Sequence, residues 1–136
     1  MRRILRQRAA IGLLAVVLCL VIAGCASWNQ LTKDEKVRVV LDFMERETTN
    51  LRDGVMKWAR ELPQTTPEQL DRKRQIYRRL NSEVLPGFKK VYQTIDDIAS
   101  KAYLGGIDQL TAEYIVMTAL ERVRALAYEI GYRGET

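Results

Sequence analysis

The chain contains no histidine and only two cysteines among its 136 residues. Without an imidazole there is no Ser-His-Asp triad, no Cys-His pair and no His-containing zinc site. A di-metal centre built on Glu-x-x-His pairs in a helical bundle is excluded for the same reason. Two cysteines cannot make a four-Cys zinc site. No glycine-rich loop that cradles a phosphate and no nucleophile elbow is present. Asp96 and Asp97 are adjacent, so on a helix they diverge by about 100° and do not converge on one atom. Strict apolar-polar alternation over four to eight residues is missing, and so is any repeat of solenoid length. These absences point away from an enzyme and away from a β fold.

What is present begins at the N-terminus. Residues 1–8 carry Arg2, Arg3, Arg6 and Arg8 and no acid, and Ala9 to Ala23 carry no charge. At about 15 residues this run is shorter than the ~20 a spanning helix needs. A basic start, a short apolar stretch and small residues at its end describe a secretory signal peptide. Cys19 inside the run reads as a small hydrophobe. The run closes with Ile22-Ala23-Gly24-Cys25, and polar Ser27, Asn29 and Gln30 follow.

These four residues resemble the lipobox of bacterial lipoproteins. The resemblance implies that the Cys25 thiol receives a diacylglyceryl group. A dedicated peptidase reading Ile22, Ala23 and Gly24 then cuts after Gly24, and the new amino group of Cys25 is acylated. No cofactor is expected beyond these covalent chains. One acyl chain holds a protein marginally, and two or more hold it stably. Ala26 stands where Asp would favour retention at the inner membrane. The resemblance therefore implies the inner leaflet of a Gram-negative outer membrane, facing the periplasm, or the plasma membrane of a Gram-positive cell.

Loss of residues 1–24 removes four of the 22 basic residues and no acid, leaving 18 against 17, a net charge of +1. The basic balance of the whole chain thus partly belongs to the signal, and no nucleic-acid partner is expected. The only remaining cysteine is Cys25, so no intrachain disulfide is expected.

The rest of the chain has helical periodicity. Residues 25–31 read as a lipidated tether, 32–131 as the bundle domain and 132–136 as a frayed tail. Thr32 and Glu35 form a capping-box pattern. Val37, Leu41, Met44, Thr48, Leu51, Val55, Trp58 and Leu62 follow at alternating spacings of four and three, a heptad seam with one polar lapse at Thr48. Gly54 weakens this helix, and Pro63 ends it. Thr66, Pro67 and Gln69 make a second start signal. Pro86 interrupts the next stretch and predicts a break or a kink. Gly105-Gly106 stop the following segment. Asp108 or Thr111 caps the last helix, whose core face is Ile115, Val116, Ala119, Leu120, Val123, Leu126, Ala127 and Ile130, with Gly131 as its stop. The fold class expected is all-α, a small antiparallel bundle of three or four helices.

Arg72, Lys73, Arg74, Arg78, Arg79, Lys89 and Lys90 stand against one acid, Glu83, within 19 residues. Such a block either forms a solvated face paired with acids of neighbouring helices, or contacts anionic headgroups or an acidic partner. Trp58, Tyr77, Tyr92, Tyr103, Tyr114 and Tyr128 either line a groove for a partner helix or peptide or, as their mostly core spacing favours, are buried. Tyr132, beyond the last helix, is expected to be exposed.

The function these features imply is non-enzymatic: a lipid-anchored helical adaptor or assembly factor for another envelope protein. In size and format it looks similar to the pilotins of secretion-system secretins, although no motif within residues 26–136 carries that likeness. The alternative is an exclusion or inhibitor lipoprotein, of the kind plasmids and prophages encode, that blocks an envelope receptor or enzyme. A small-molecule-binding accessory would need a convergent polar pocket inside the bundle. The expected partners are the membrane, through the lipid, and an envelope protein. The seam over 37–62 also permits self-association.

Overall fold

The structure, a computed structural model, describes residues 24, 27–103 and 106–134, with Ala102 and Tyr103 described by backbone alone. Ile22, Ala23, Cys25 and Gly105 lie outside the described residues; Gly24 is helical and exposed. The chain divides into two units between Thr32 and Lys33. In the first, residues 27–30 form a helical turn, and the Leu31 N–H donates to the Trp28 carbonyl at 3.2 Å.

The second unit is all-α among its described residues. Its helices are α1 (Lys33–Glu61), α2 (Pro67–Arg79), α3 (Leu85–Tyr103) and α4 (Gln109–Ile130). Their ends follow local chemistry. At the start of α2 the Thr66 hydroxyl accepts the Gln69 backbone N–H at 3.2 Å, and the Gln69 side-chain Oε1 accepts the Thr66 N–H at 3.2 Å, with Pro67 in the first turn. Asp108, rather than Thr111, caps α4: its carboxylate accepts the Thr111 N–H at 2.8 Å. Gly131 ends α4 at φ 114°, a left-handed conformation that suits a residue without a Cβ. The Gly131 N–H then reaches the Tyr128 carbonyl at 3.1 Å, and the Tyr132 N–H reaches Ala127 at 3.0 Å. Those two bonds are the Schellman pair.

Pro86 does not break the helix. A π-helical segment, Leu80–Val84, joins α2 to α3, so that the backbone stays helical from Pro67 to Tyr103. The Leu85 N–H donates to the Leu80 carbonyl, five residues back, and Leu85 keeps φ −64° and ψ −41°. Proline in a regular helix clashes with the carbonyl four residues earlier, here that of Ser82. The wider π turn ends at Val84, two residues before Pro86, so Ser82 lies within it rather than in a regular helix. It also straightens the core stripe. Ile76, Leu80, Val84 and Phe88 are all buried at successive spacings of four. A regular helix would carry that run round by about 120°. A turn of about 4.4 residues keeps it on one face.

The helices run up, down and up. Lys73 of α2 reaches the end of α1, and Thr49 of α1 bonds Tyr92 of α3 through their hydroxyls at 2.6 Å, so α2–α3 runs back along α1. Arg79 meets Glu129, and Gly87 lies against Val123, so α4 turns back again. Asp108 senses the charge of Lys33, and Gly131 lies against Trp58, so α4 is parallel to α1. The core along the axis is apolar. Leu80, Val84, Phe88 and Val91 of the middle rod meet Val37, Leu41, Met44 and Val55 of α1 and Val116, Val123 and Ala127 of α4. The heptad seam of α1 is thus used within the bundle. Its polar lapse is fully buried, and the Thr48 hydroxyl donates to the Met44 carbonyl at 2.7 Å.

The tail departs from expectation. Tyr132 is half-buried and packs on the core, its ring edge-on to Trp58 with centroids 5.8 Å apart.

Candidate functional site

The seven basic residues do not act as one stripe. Two serve the fold. The Lys73 ammonium donates to the carbonyls of Arg60 and Leu62 at 2.9 and 3.0 Å, capping the C-terminal end of α1. Arg79 binds Glu83 at 2.9 Å on its own rod and Glu129 at 3.1 Å on α4. Its hydrogen bonds to Glu83 and then Glu129 raise its pKa. Arg74 stands 3.7 Å from Asp71. Arg72, Arg78, Lys89 and Lys90 are exposed, and among the described residues none of them makes an ion pair. Sequence spacing could not find Glu129, which lies 50 residues from Arg79. Nor could it show which carbonyls Lys73 would reach.

Arg72 and Lys73 also line a cleft of about 220 Å³ at the end of α1, together with Trp58, Leu62, Pro63, Gln69 and Gly131. Its lining is apolar on one side and cationic on the other. The Thr66 cap fixes the start of α2, and the Gly131 turn fixes the wall beyond Trp58. The cleft lies at the end of the bundle remote from Lys33. Along α1, Lys33 to Arg60 covers about 40 Å.

Charge is divided in the same way. Segments 33–47 and 94–118, at the Lys33 end, hold five basic and nine acidic residues, net −4. Segments 48–93 and 119–134, toward the other end, hold thirteen basic and seven acidic residues, net +6.

A second surface departs from the burial expected for most of the aromatics. Tyr114 and Tyr128 are exposed, not buried. Leu110, Tyr114, Met117 and Tyr128 follow the outer face of α4, and Val39 and Phe43 are exposed on α1. Tyr128 has a partner, since the Arg133 guanidinium stacks 3.6 Å from its ring centroid. The other five side chains lie in the first half of each helix. The signal was in the spacing. Positions 110, 114, 117, 121, 124 and 128 repeat at four and three about 125° round the helix from the buried set Ala112, Val116, Leu120, Val123, Ala127 and Ile130. Ile115, expected in the core, is exposed as well, because it borders that set rather than lying within it.

The interior offers little chemistry. Among the described residues Thr48 is the single buried polar side chain, and no buried side-chain polar atom lacks a hydrogen-bond partner. Asp96 and Asp97 are both exposed. Among the described residues no group of three metal-ligating side chains occurs, and no helix is long and apolar enough to cross a membrane. No protein-family model, curated protein or solved structure matches the chain.

Proposed function

We propose that this chain is a lipid-anchored helical adaptor of the bacterial cell envelope, held through Cys25 and acting by binding another envelope protein. The lipobox pattern at Ile22-Ala23-Gly24-Cys25 supports the anchor. The observation that carries the adaptor reading is the division between the two ends of the bundle. The end next to the tether is acidic, while the far end carries the cationic cleft and the unpaired Arg72 and Arg78. An anchor at one end and a recognition surface at the other suit a protein that positions a partner at a fixed height above a membrane.

On this reading Arg72 and Arg78 meet an acidic protein surface rather than anionic headgroups. Complementary charge of this kind steers encounter and sets specificity. The test is affinity capture of the acylated protein from solubilised membranes, beside Cys25→Ala and a charge-reversed Arg72→Glu/Arg78→Glu variant. One dominant envelope protein, lost in the charge-reversed sample, supports the reading. Equal recovery of background proteins in all three overturns it. Capture of an enzyme or receptor whose activity falls on binding makes the protein an inhibitor of the same anchored format.

A further inference from the structure

Five of the six exposed apolar side chains at the Lys33 end have no role in the adaptor reading; the sixth, Ile115, lies about 160° round α4 from Met117 and is left aside. Leu110 is 75% exposed, Tyr114 73% and Phe43 59%, with Val39 and Met117 also open to solvent. They belong to one side of the molecule. Phe43 precedes Gly54 by eleven residues, about three turns, so the two share a face of α1. Gly54 faces Tyr132 at the end of α4, so Phe43 lies on the flank of α1 toward α4. On α4, Glu129 and Val123 mark the sides facing the middle rod, and Leu110 and Met117 point away from both. Because α1 and α4 are parallel, with Gly131 against Trp58, equal rise along both helices sets Val39 and Phe43 level with the Leu110–Met117 stretch of α4.

The same flank changes character further along. It carries Asn50, Asp53 and Lys57 around Tyr132, and the Glu121–Arg124 ion pair at 2.8 Å. The apolar part is therefore confined to the end where the chain enters. Eight peptide links separate Cys25 from Lys33, at most about 28 Å of chain. From Lys33 to Phe43 is about 15 Å along the helix. A lipid on Cys25 thus keeps Phe43 within about 43 Å of the bilayer surface, against about 68 Å for Arg60 at the far end of α1.

We infer that Val39, Phe43, Leu110, Tyr114 and Met117 form a membrane seat, which rests on the phospholipid surface when Cys25 is acylated. The inference rests on the anchored reading above. The occupant is the bilayer because the patch is confined to the end of the bundle that the tether joins. Its chemistry also fits: aliphatic side chains enter the acyl boundary, and a tyrosine sits at headgroup level. The net charge of −4 around the patch opposes anionic headgroups, so the seat prefers a zwitterionic surface. Seating would tilt the α1–α4 flank toward the membrane and leave the far cleft outward.

The test uses the processed, acylated protein in vesicles of phosphatidylcholine, with an environment-sensitive fluorophore on Tyr114→Cys or, at the far end, Arg78→Cys. Acylation of Cys25 leaves the introduced thiol as the only free one. Flotation reads the anchor separately. The expected result is that both proteins float, that the probe at 114 shifts to the blue and that a nitroxide lipid quenches it at least threefold more than the probe at 78. Adding Phe43→Ser and Leu110→Ser, both exposed positions, should cut that quenching at least twofold with flotation unchanged. Replacing a third of the lipid with phosphatidylglycerol at low salt should reduce it further. Floating protein with equal, weak quenching at both positions overturns the seat, leaves the anchor standing and assigns the patch to a protein partner. Protein that fails to float overturns the anchored reading itself.

Discussion

The hydroxyl of Tyr132 lies 2.6 Å from where a Cβ on residue 54 would stand. Gly54 is thus a slot in the middle of α1, and the C-terminal segment fills it. Glycine in a helix interior costs about 1 kcal/mol relative to alanine. Here that cost is offset by the packing of Tyr132, whose ring also meets Trp58 edge-on. The pair should therefore be coupled. Gly54→Ala is expected to be near neutral in the wild type, because propensity gained is lost as Tyr132 is displaced. In a Tyr132→Ala background the same change should stabilise by about 1 kcal/mol. Urea denaturation of the four proteins measures the coupling, expected at about 1 kcal/mol. Strict additivity would show that Tyr132 does not occupy the slot.

Thr48 gives the second prediction. Its hydroxyl bonds a carbonyl that already accepts a helical N–H, so removing it strands no acceptor. Thr48→Val keeps the shape and is expected to be neutral or stabilising by up to about 1 kcal/mol. Thr48→Ala leaves a small cavity and should cost about 1–2 kcal/mol. Chemical denaturation decides between them; a destabilising valine would mean that the hydroxyl does more than satisfy itself.

The π segment gives the third. Deleting Ser82, an exposed residue within it, should convert the middle rod to a regular helix and leave Pro86 clashing inside. That deletion is expected to cost about 3 kcal/mol, and Pro86→Ala in the deleted chain should restore most of it. Thermal melts followed by circular dichroism read both. A deletion indifferent to the proline substitution contradicts the account of why the π turn is there.

The fourth concerns acid. The Thr111 N–H holds the Asp108 carboxyl below the ordinary aspartate value of 3.8. A carboxyl whose pKa is depressed by folding contributes stability above its unfolded pKa, and loses it as pH falls through the folded one. Asp108→Asn keeps a cap acceptor without the titration. The melting temperature of the wild type should therefore exceed that of the variant at pH 7, and the gap should close below about pH 4. A gap unchanged at pH 2 contradicts the assignment.

Much of the scaffold was legible in the sequence because its signals are local. The Thr66-Pro67-Gln69 start, the Gly131 stop and the α1 seam each depend on neighbours within a turn or two, and they appear where the pattern put them. Pro86 was left open between a break and a kink because proline was weighed alone, and the continuous rod decides against the break. The three successive spacings of four from Ile76 to Phe88 held the answer, since only a wider turn keeps them in line. The surface was less legible. Lys73 and Arg79 looked like their exposed neighbours until the end of α1 and Glu129 came within reach. Tyr114 and Tyr128 looked like core residues because helical apolar periodicity on α4 occurs on two separate faces. Which face is buried depends on where the other two helices lie, and no local pattern carries that.

The central claim is that the protein works from a lipid anchor at Cys25. Mass spectrometry of the N-terminal peptide, from protein purified out of bacterial membranes, tests it most directly. The account predicts a mature chain beginning at Cys25 and carrying a diacylglyceryl thioether, with a Cys25→Ala variant that stays uncleaved or leaves the membrane fraction. An unmodified Cys25, or a chain beginning at any other residue, would contradict it.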